Sequence, residues 1–326
     1  MNQRTDSTNS YLLALASMTV AIFVALSLVT PNFLSLGNLR SMGFQFPEFG
    51  LLSLAVLPTM VSGGIDLSVV AVANLSAIVA AVILRSGEYG WLAIPAALAV
   101  GAACGAFNGI LIAYFRLQPI LATLGTLQLF AGIGIVITGG PAITGLPDWY
   151  TQLGNLSILG VVPLPLAIFA LVALLLGAVM RFTPTGIRIR LYGTNPTAGR
   201  FAGIPERGLL IRIYTLSGVI AALAGLVVLA RVNSANADYG SSYLLLVILI
   251  NILAGVSPAG GFGTVTGVVL AVLSLQLISS GLNFLAFSAF ARDLFFGGLL
   301  IIVMSARVLA GTLPLPKLNF MKVVTR

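Results

Sequence analysis

Residues 61–69 read VSGGIDLSV. Two adjacent glycines and an aspartate interrupt a background of hydrocarbon side chains. An Asp at the centre of a bilayer-spanning helix costs about 2.5–3.5 kcal/mol on insertion scales, and paired glycines weaken a helix further. With only eight acidic residues in 326, the chain needs a physical reason to place one here. A break between two helices supplies it. Four residues, GGID, separate one apolar run from the next, and Asp66 is expected to cap the N-terminus of the following helix, where the helix dipole favours a negative charge. A second reading makes the break a moving or substrate-facing element, because irregular backbone at membrane depth lines a cavity.

The surrounding composition sets the fold class. Hydrophobic residues make up 59% of the chain and charged residues 7%, more apolar surface than a soluble protein of this size can hide. Apolar runs of about 20 residues, the length that crosses a bilayer, recur from end to end. They are continuous rather than alternating, which argues against a strand barrel. The reading is an all-α polytopic membrane protein forming one transmembrane domain over 1–326. Ten spans are expected, at 11–30, 44–62, 66–84, 91–115, 120–138, 163–180, 208–230, 242–255, 264–283 and 290–310. The first is too long for a signal-peptide core and is read as retained.

Lysine and arginine favour the cytoplasmic side. With the N-terminus inside, twelve of the sixteen basic residues fall on inner segments, and Arg40, Arg85, Arg231 and Arg292 fall outside. Both termini are therefore expected in the cytoplasm of a cell whose inner (plasma) membrane holds the chain. The net charge of +8 is accounted for by topology and lipid headgroups, and nucleic acid is not an expected partner because no stacking aromatics accompany the arginines. Spans 2–5 begin outside and spans 7–10 begin inside, so the two blocks are expected to be inverted repeats.

Histidine is absent and the single cysteine, Cys104, lies in an apolar run. The commonest general base and metal ligand are thus missing, a disulfide within the chain is impossible, and catalysis and metal binding by this chain are not expected. There is no G-x-x-x-x-G-K-[ST] loop, and the first lysine is Lys317, so any ATP-driven work requires a separate chain.

The longest inner loop, 181–208, contains GTNPTAGRFAGI at 193–204. Asn195 is a good N-cap, Pro196 suits the first helical position, and Gly203 stands where a helix end prefers glycine, so a two-turn helix is expected over 195–202. An ordinary positive-inside linker is the alternative.

These residues resemble the coupling-loop pattern G-x-N-x-x-A-A-R-x-x-G-I of the permease subunits of ABC sugar importers of the ribose type. SGGIDLS (62–68), GAACGAFNGILIAYFRLQPILATLGTL (101–127) and LAGVSPAGGFG (253–263) are similar to further signatures of that family, in its order. The resemblance implies that Asn195, Ala198, Gly199, Arg200 and Gly203 couple the chain to a cytoplasmic ATP-binding subunit, which holds ATP and Mg while this chain binds no cofactor. Gly199 replaces the second Ala of the pattern. The resemblance also implies a second permease chain and an extracytoplasmic solute-binding protein, the latter meeting the outer loop 139–162, where Asp148 is a rim contact. Trp149 and Tyr150 in that loop are expected to anchor at the headgroups. After Tyr243 the family pattern carries two acids, whereas this chain reads YLLLVILI at 243–250; this departure fits a heterodimer better than a homodimer.

Neutral hydrogen-bonding residues suit the path of a monosaccharide or similar hydroxylated solute. The residues expected on such a path or gate are Gly63, Gly64, Asp66, Ser68, Asn108, Thr123, Thr126 and Asn251. Gly101, Gly105 and Gly109 lie four residues apart and read as a helix-packing face. The rival to an ATP-driven importer is an autonomous ion-coupled carrier, for which Asp293 and Asp66 are the available relay groups.

Overall fold

The computed structural model describes residues 2–30, 33–87, 89–158 and 160–312, with side chains left aside for 2–9, 289 and 306–312. Thirteen α-helices carry the fold among the described residues. They are α1 (Asn2–Val29), α2 (Leu36–Val61), α3 (Val69–Ser86), α4 (Ala93–Ala113), α5 (Pro119–Thr138), α6 (Asp148–Asn155), α7 (Leu164–Phe182), α8 (Pro184–Thr194), α9 (Pro196–Phe201), α10 (Glu206–Val232), α11 (Tyr243–Leu253), α12 (Val265–Phe284) and α13 (Ala289–Thr312). Eight of the described helices have the length and apolar character to cross a membrane. The protein is an all-α polytopic membrane protein.

Most expected spans coincide with a helix. Two differ in an informative way. The span expected at 44–62 is a helix starting at Leu36, because α2 continues through Pro47 and Pro58. Each proline deletes one ladder N–H, and packing against α10, α11 and α12 holds the helix together despite it. The span expected at 242–255 is not a full crossing: α11 has 11 residues, about 16 Å of helix and half a bilayer.

Helix α10 lies against α3 and α4, α2 lies against α11 and α12, and α2 and α10 contact each other. Among the tightest of these approaches is α4 on α10. A β-carbon on Gly105 or Gly109 would meet backbone atoms of Thr215 or Ile211 at 2.9 and 2.6 Å, and one on Gly101 would meet Ala222 Cβ at 2.6 Å. The glycine face expected on α4 is thus a packing face, with Gly218 of α10 answering it. Large apolar side chains of α1, α5 and α7, such as Leu28, Val136 and Leu174, are exposed and suit contact with lipid.

At one end of the bundle, β1 (Ile143–Thr144) pairs antiparallel with β4 (Ser234–Ala235), and β2 (Ser157–Ile158) pairs with β3 (Val162–Pro163). This end also carries α6. Tyr150 on α6 is 2% exposed, and its hydroxyl donates to the Leu226 carbonyl at 3.0 Å. It is therefore a core residue rather than the headgroup anchor expected; only Trp149 beside it is open. The opposite end carries α8, α9 and the breaks after α2 and α11.

Candidate functional site

Three helices end in the same way at this second end. After α2, Gly63 N donates to Met60 O (2.9 Å) and Gly64 N to Thr59 O (3.0 Å), with Gly63 at φ +90°. After α11, Gly255 N donates to Ile252 O and Val256 N to Asn251 O, both at 3.0 Å, with Gly255 at φ +85°. After α9, Gly203 N donates to Arg200 O (3.0 Å) and Ile204 N to Gly199 O (3.1 Å), with Gly203 at φ +75°. Each is a left-handed cap that satisfies the last carbonyls and turns the chain sharply, and glycine takes the left-handed position at no steric cost.

The three glycine-rich signatures meet in space. Val61 O, at the end of α2, accepts from Gly261 N at 2.8 Å. A β-carbon on Gly193, in the last turn of α8, would collide with that same carbonyl and lie 2.7 Å from Gly261 N. One on Gly260 would lie 2.5 Å from Gly193 O and 2.9 Å from Gly63 Cα. Segments 61–64, 193–194 and 260–261 are thus packed backbone to backbone, and α8 is braced against both breaks.

From this brace α9 projects. Asn195 is its N-cap, accepting from Ala198 N at 3.0 Å, and Pro196 opens the helix, as the sequence led us to expect. Asn195, Ala198, Arg200 and Gly203 are exposed, whereas Gly199 faces inward on Tyr192 and Ile204. Arg200 pairs with Glu206 at 3.7 Å, and Tyr192 donates its hydroxyl to the same carboxylate at 2.7 Å. Burial first, and then the Glu206 carboxylate, push the Tyr192 phenol above its ordinary range. Phe201 is 90% exposed. Sequence reading passed over it; the signal available was a lone large apolar residue on a short polar helix.

The expected path residues are interior. Asp66, Ser68, Asn108, Thr123, Thr126 and Asn251 are all buried, while Gly63 is open and Gly64 is packed against Tyr214 and Pro119. Asp66 does not cap α3: that position belongs to Ser68, and Asp66 stands two residues before it. Its Oδ1 accepts from Ser68 N (2.9 Å) and Ser68 Oγ (2.7 Å), and its Oδ2 accepts from Ser217 Oγ of α10 (3.1 Å). Asn108 of α4 donates to Ser68 Oγ at 2.8 Å. The carboxylate is a knot joining the break to α4 and α10. Its three donors offset part of the expense that a lone buried charge would carry.

Thr123 of α5 fixes the same break from another side. Its hydroxyl accepts from Leu67 N at 3.1 Å and has Pro119 O (2.8 Å) and Ile65 O (3.1 Å) as acceptors. Thr126 bonds back to Thr123 O at 3.3 Å. Asn251 stands apart from this group, donating to Ser53 O of α2 (3.1 Å) and to Val247 O (3.0 Å).

Two further residues escaped the sequence reading. Glu48, inside α2 and buried, accepts from Arg231 Nε at 2.6 Å and makes a second contact with its Nη2. The rings of Tyr239 and Tyr243 lie beside each other nearby, 5.9 Å apart. Glu48 was visible only as a lone acid after a helix proline; its partner lies 183 residues away.

Residues 39–304 match the family described as branched-chain amino acid transport system, permease component. The chain is 34% identical over 301 residues to the autoinducer 2 import system permease protein LsrD of Escherichia coli K12, covering 90% of this chain and 91% of that protein. The LsrD protein of Shigella flexneri matches to the same extent, and that of Enterobacter sp. strain 638 is 32% identical over 305 residues, 92% of each chain. No solved structure matches. With most of the chain covered by the family, by relatives that are import permeases, and by a multi-helix membrane fold, this protein belongs to the binding-protein-dependent ABC importer permeases.

Proposed function

We propose that the chain is one of two membrane subunits of an importer for a small, uncharged, hydroxylated solute, and that α9 is the element its ATPase pushes. The observation that carries this reading is the brace. Gly193 joins the root of α9 to the end of α2 and to the 254–264 break, so a force on α9 reaches two membrane helices without a flexible link. Packed rigid elements of this kind are able to carry coupling between sites.

In this reading both termini are cytoplasmic, α8 and α9 face the ATPase, and α6 with loop 139–162 faces a solute-binding protein, Asp148 at its rim. ATP and Mg sit on the ATPase, and this chain holds neither. Asn195 and Gly203 shape the two ends of α9, Ala198 and Gly199 keep it slim, and Arg200 and Phe201 meet the partner. The buried Asp66, Ser68, Asn108, Thr123 and Asn251 hold the breaks in place. Ten crossings are counted, the eighth made by residues 233–242 together with α11 and the last by α13. Inverted repeats α2–α5 and α10–α13 are supported by exchanged packing, since each first helix lies on the second and third helices of the other block. The second permease is a different chain, supported by Leu244 and Leu246 where the family pattern has acids. Autoinducer 2, the solute named for the LsrD relatives, and pentoses are the first solutes to test.

The test is co-purification in mild detergent. An ATPase and a second permease recovered with the wild-type chain, and the ATPase lost with Ala198→Glu plus Arg200→Glu, support the reading. A chain that purifies alone and moves solute into liposomes without ATP overturns it.

A further inference from the structure

Two polar stripes face each other across a gap that the coupling brace and the Asp66 knot leave unused. Asn38, Ser41 and Gln45 recur at helical spacing on α2, and Gln276, Ser280 and Asn283 do so on α12. Together they line a cavity of about 250 Å³. Gln45 lies nine residues past the start of α2, about 14 Å along the helix. Amides at such depth in membrane helices face a bundle interior or a water-filled space.

The bonds within the cavity leave its capacity open. Ser280 Oγ donates to Asn38 Oδ1 at 3.2 Å, Gln45 Nε2 donates to Ser41 Oγ at 3.1 Å, and Asn38 Nδ2 donates to Phe33 O at 2.8 Å. Gln276 is 5% exposed, lines the cavity, and has no hydrogen-bond partner among the described residues. With no such partner, the Gln276 amide opens onto the cavity, where water or a solute hydroxyl can bond it. Arg292 touches the group only through Asn283, donating to its Oδ1 at 2.5 Å. The lining itself is neutral, with donors and acceptors mixed, and Met42 and Phe284 add apolar surface.

We propose that this α2–α12 cavity is a wet solute site on the outer half of the path, built for an uncharged polyhydroxylated molecule. Hydroxyls both donate and accept, as amides do, and the C–H faces of such a molecule suit Met42 and Phe284. The volume sits below the usual range for drug-sized ligands, which fits a small solute. A phosphorylated or carboxylated solute finds no cation in the lining. The proposal rests on the importer reading above.

The test uses the assembled importer in membranes, with Cys104→Ala as background. Gln45→Cys and Gln276→Cys are each exposed from the outside to a positively charged methanethiosulfonate. Leu174→Cys, whose parent side chain is 72% exposed on α7, is the lipid-facing control. Labelling at 45 and 276 but not at 174 is expected. No labelling at 45 and 276 overturns the proposal, since the cavity is then dry and covered by lipid or by the second permease. In parallel, ATP-driven uptake of D-ribose and of autoinducer 2 is measured for Gln45→Leu, Gln276→Leu and Ser280→Ala, with ATPase co-purification reporting assembly. A loss of about tenfold for each glutamine variant that still assembles, the value of one hydrogen bond, is expected. Unchanged uptake in those variants, beside working wild-type uptake, overturns the cavity alone. If the wild-type importer moves no solute with ATP, the importer reading fails instead, and the solute site fails with it.

Discussion

Gly193 lies flush against the carbonyl of Val61, so the last turn of α8 and the last residue of α2 meet without a side chain between them. That carbonyl also accepts from Gly261 N at 2.8 Å. A methyl group at 193 has nowhere to go, because its neighbours are all backbone. Gly193→Ala is expected to cost about 1–3 kcal/mol through overpacking. ATP-driven uptake should drop by about tenfold, within the range for mutations along a coupling route. Uptake and ATPase activity measured together check this; unaltered coupling would remove the brace from the mechanism.

The neighbouring glycine behaves oppositely. A β-carbon on Gly199 would meet Ile204 Cδ1 and Tyr192 Cα at 3.5 Å, ordinary contact distance. Alanine, which the family pattern carries here, therefore fits. Gly199→Ala should stabilise α9 by up to about 1 kcal/mol from helix propensity. Thermal unfolding in detergent and ATPase co-purification should be equal to or better than wild type.

Asp66 separates a structural role from a proton relay. In Asp66→Asn the remaining oxygen still accepts both bonds from Ser68, and the new amide donates to Ser217 Oγ, so a loss of about 1–2 kcal/mol is expected as the charge-assisted strength goes. Asp66→Ala strips three donors of their acceptor and should cost about 3 kcal/mol or more. Uptake by Asp66→Asn should stay ATP-dependent. Equal stability of the two variants would contradict the knot, and a new ion dependence of uptake would revive the carrier.

Glu48 and Arg231 make a second test of burial. Removing the arginine strands the buried Glu48 carboxylate, so Arg231→Met should cost about 3–5 kcal/mol, and Glu48→Met, which leaves the partly exposed Arg231, should cost less. Replacing both, Glu48→Met with Arg231→Met, should recover much of the larger loss. A double-mutant cycle by thermal unfolding reads the coupling directly, and additive single effects would show the pair to be inert.

The spans were legible because a bilayer demands a fixed length of apolar helix, and continuous runs such as 120–138 leave no other reading. The short helix over 195–202 was legible because Asn195, Pro196 and Gly203 have distinct jobs at helix ends. Tyr150 was not legible: a tyrosine after Trp149 reads the same whether its hydroxyl meets lipid or the Leu226 carbonyl. The shortness of α11 was legible, because the run expected at 242–255 is already too short for a full crossing. Asp66 was expected at the cap, but the backbone hands that place to Ser68. For Tyr150, and for Glu48 with Arg231, what escaped was a tertiary partner far along the chain.

The contact of α4 with α10 has an evolutionary consequence. Glycines 101, 105 and 218 leave no volume into which a mutation can add atoms, so this part of the chain is frozen against innovation. New solute preferences must arise where side chains border free space, and the bundle therefore confines its adaptability to surfaces such as the facing walls of α2 and α12.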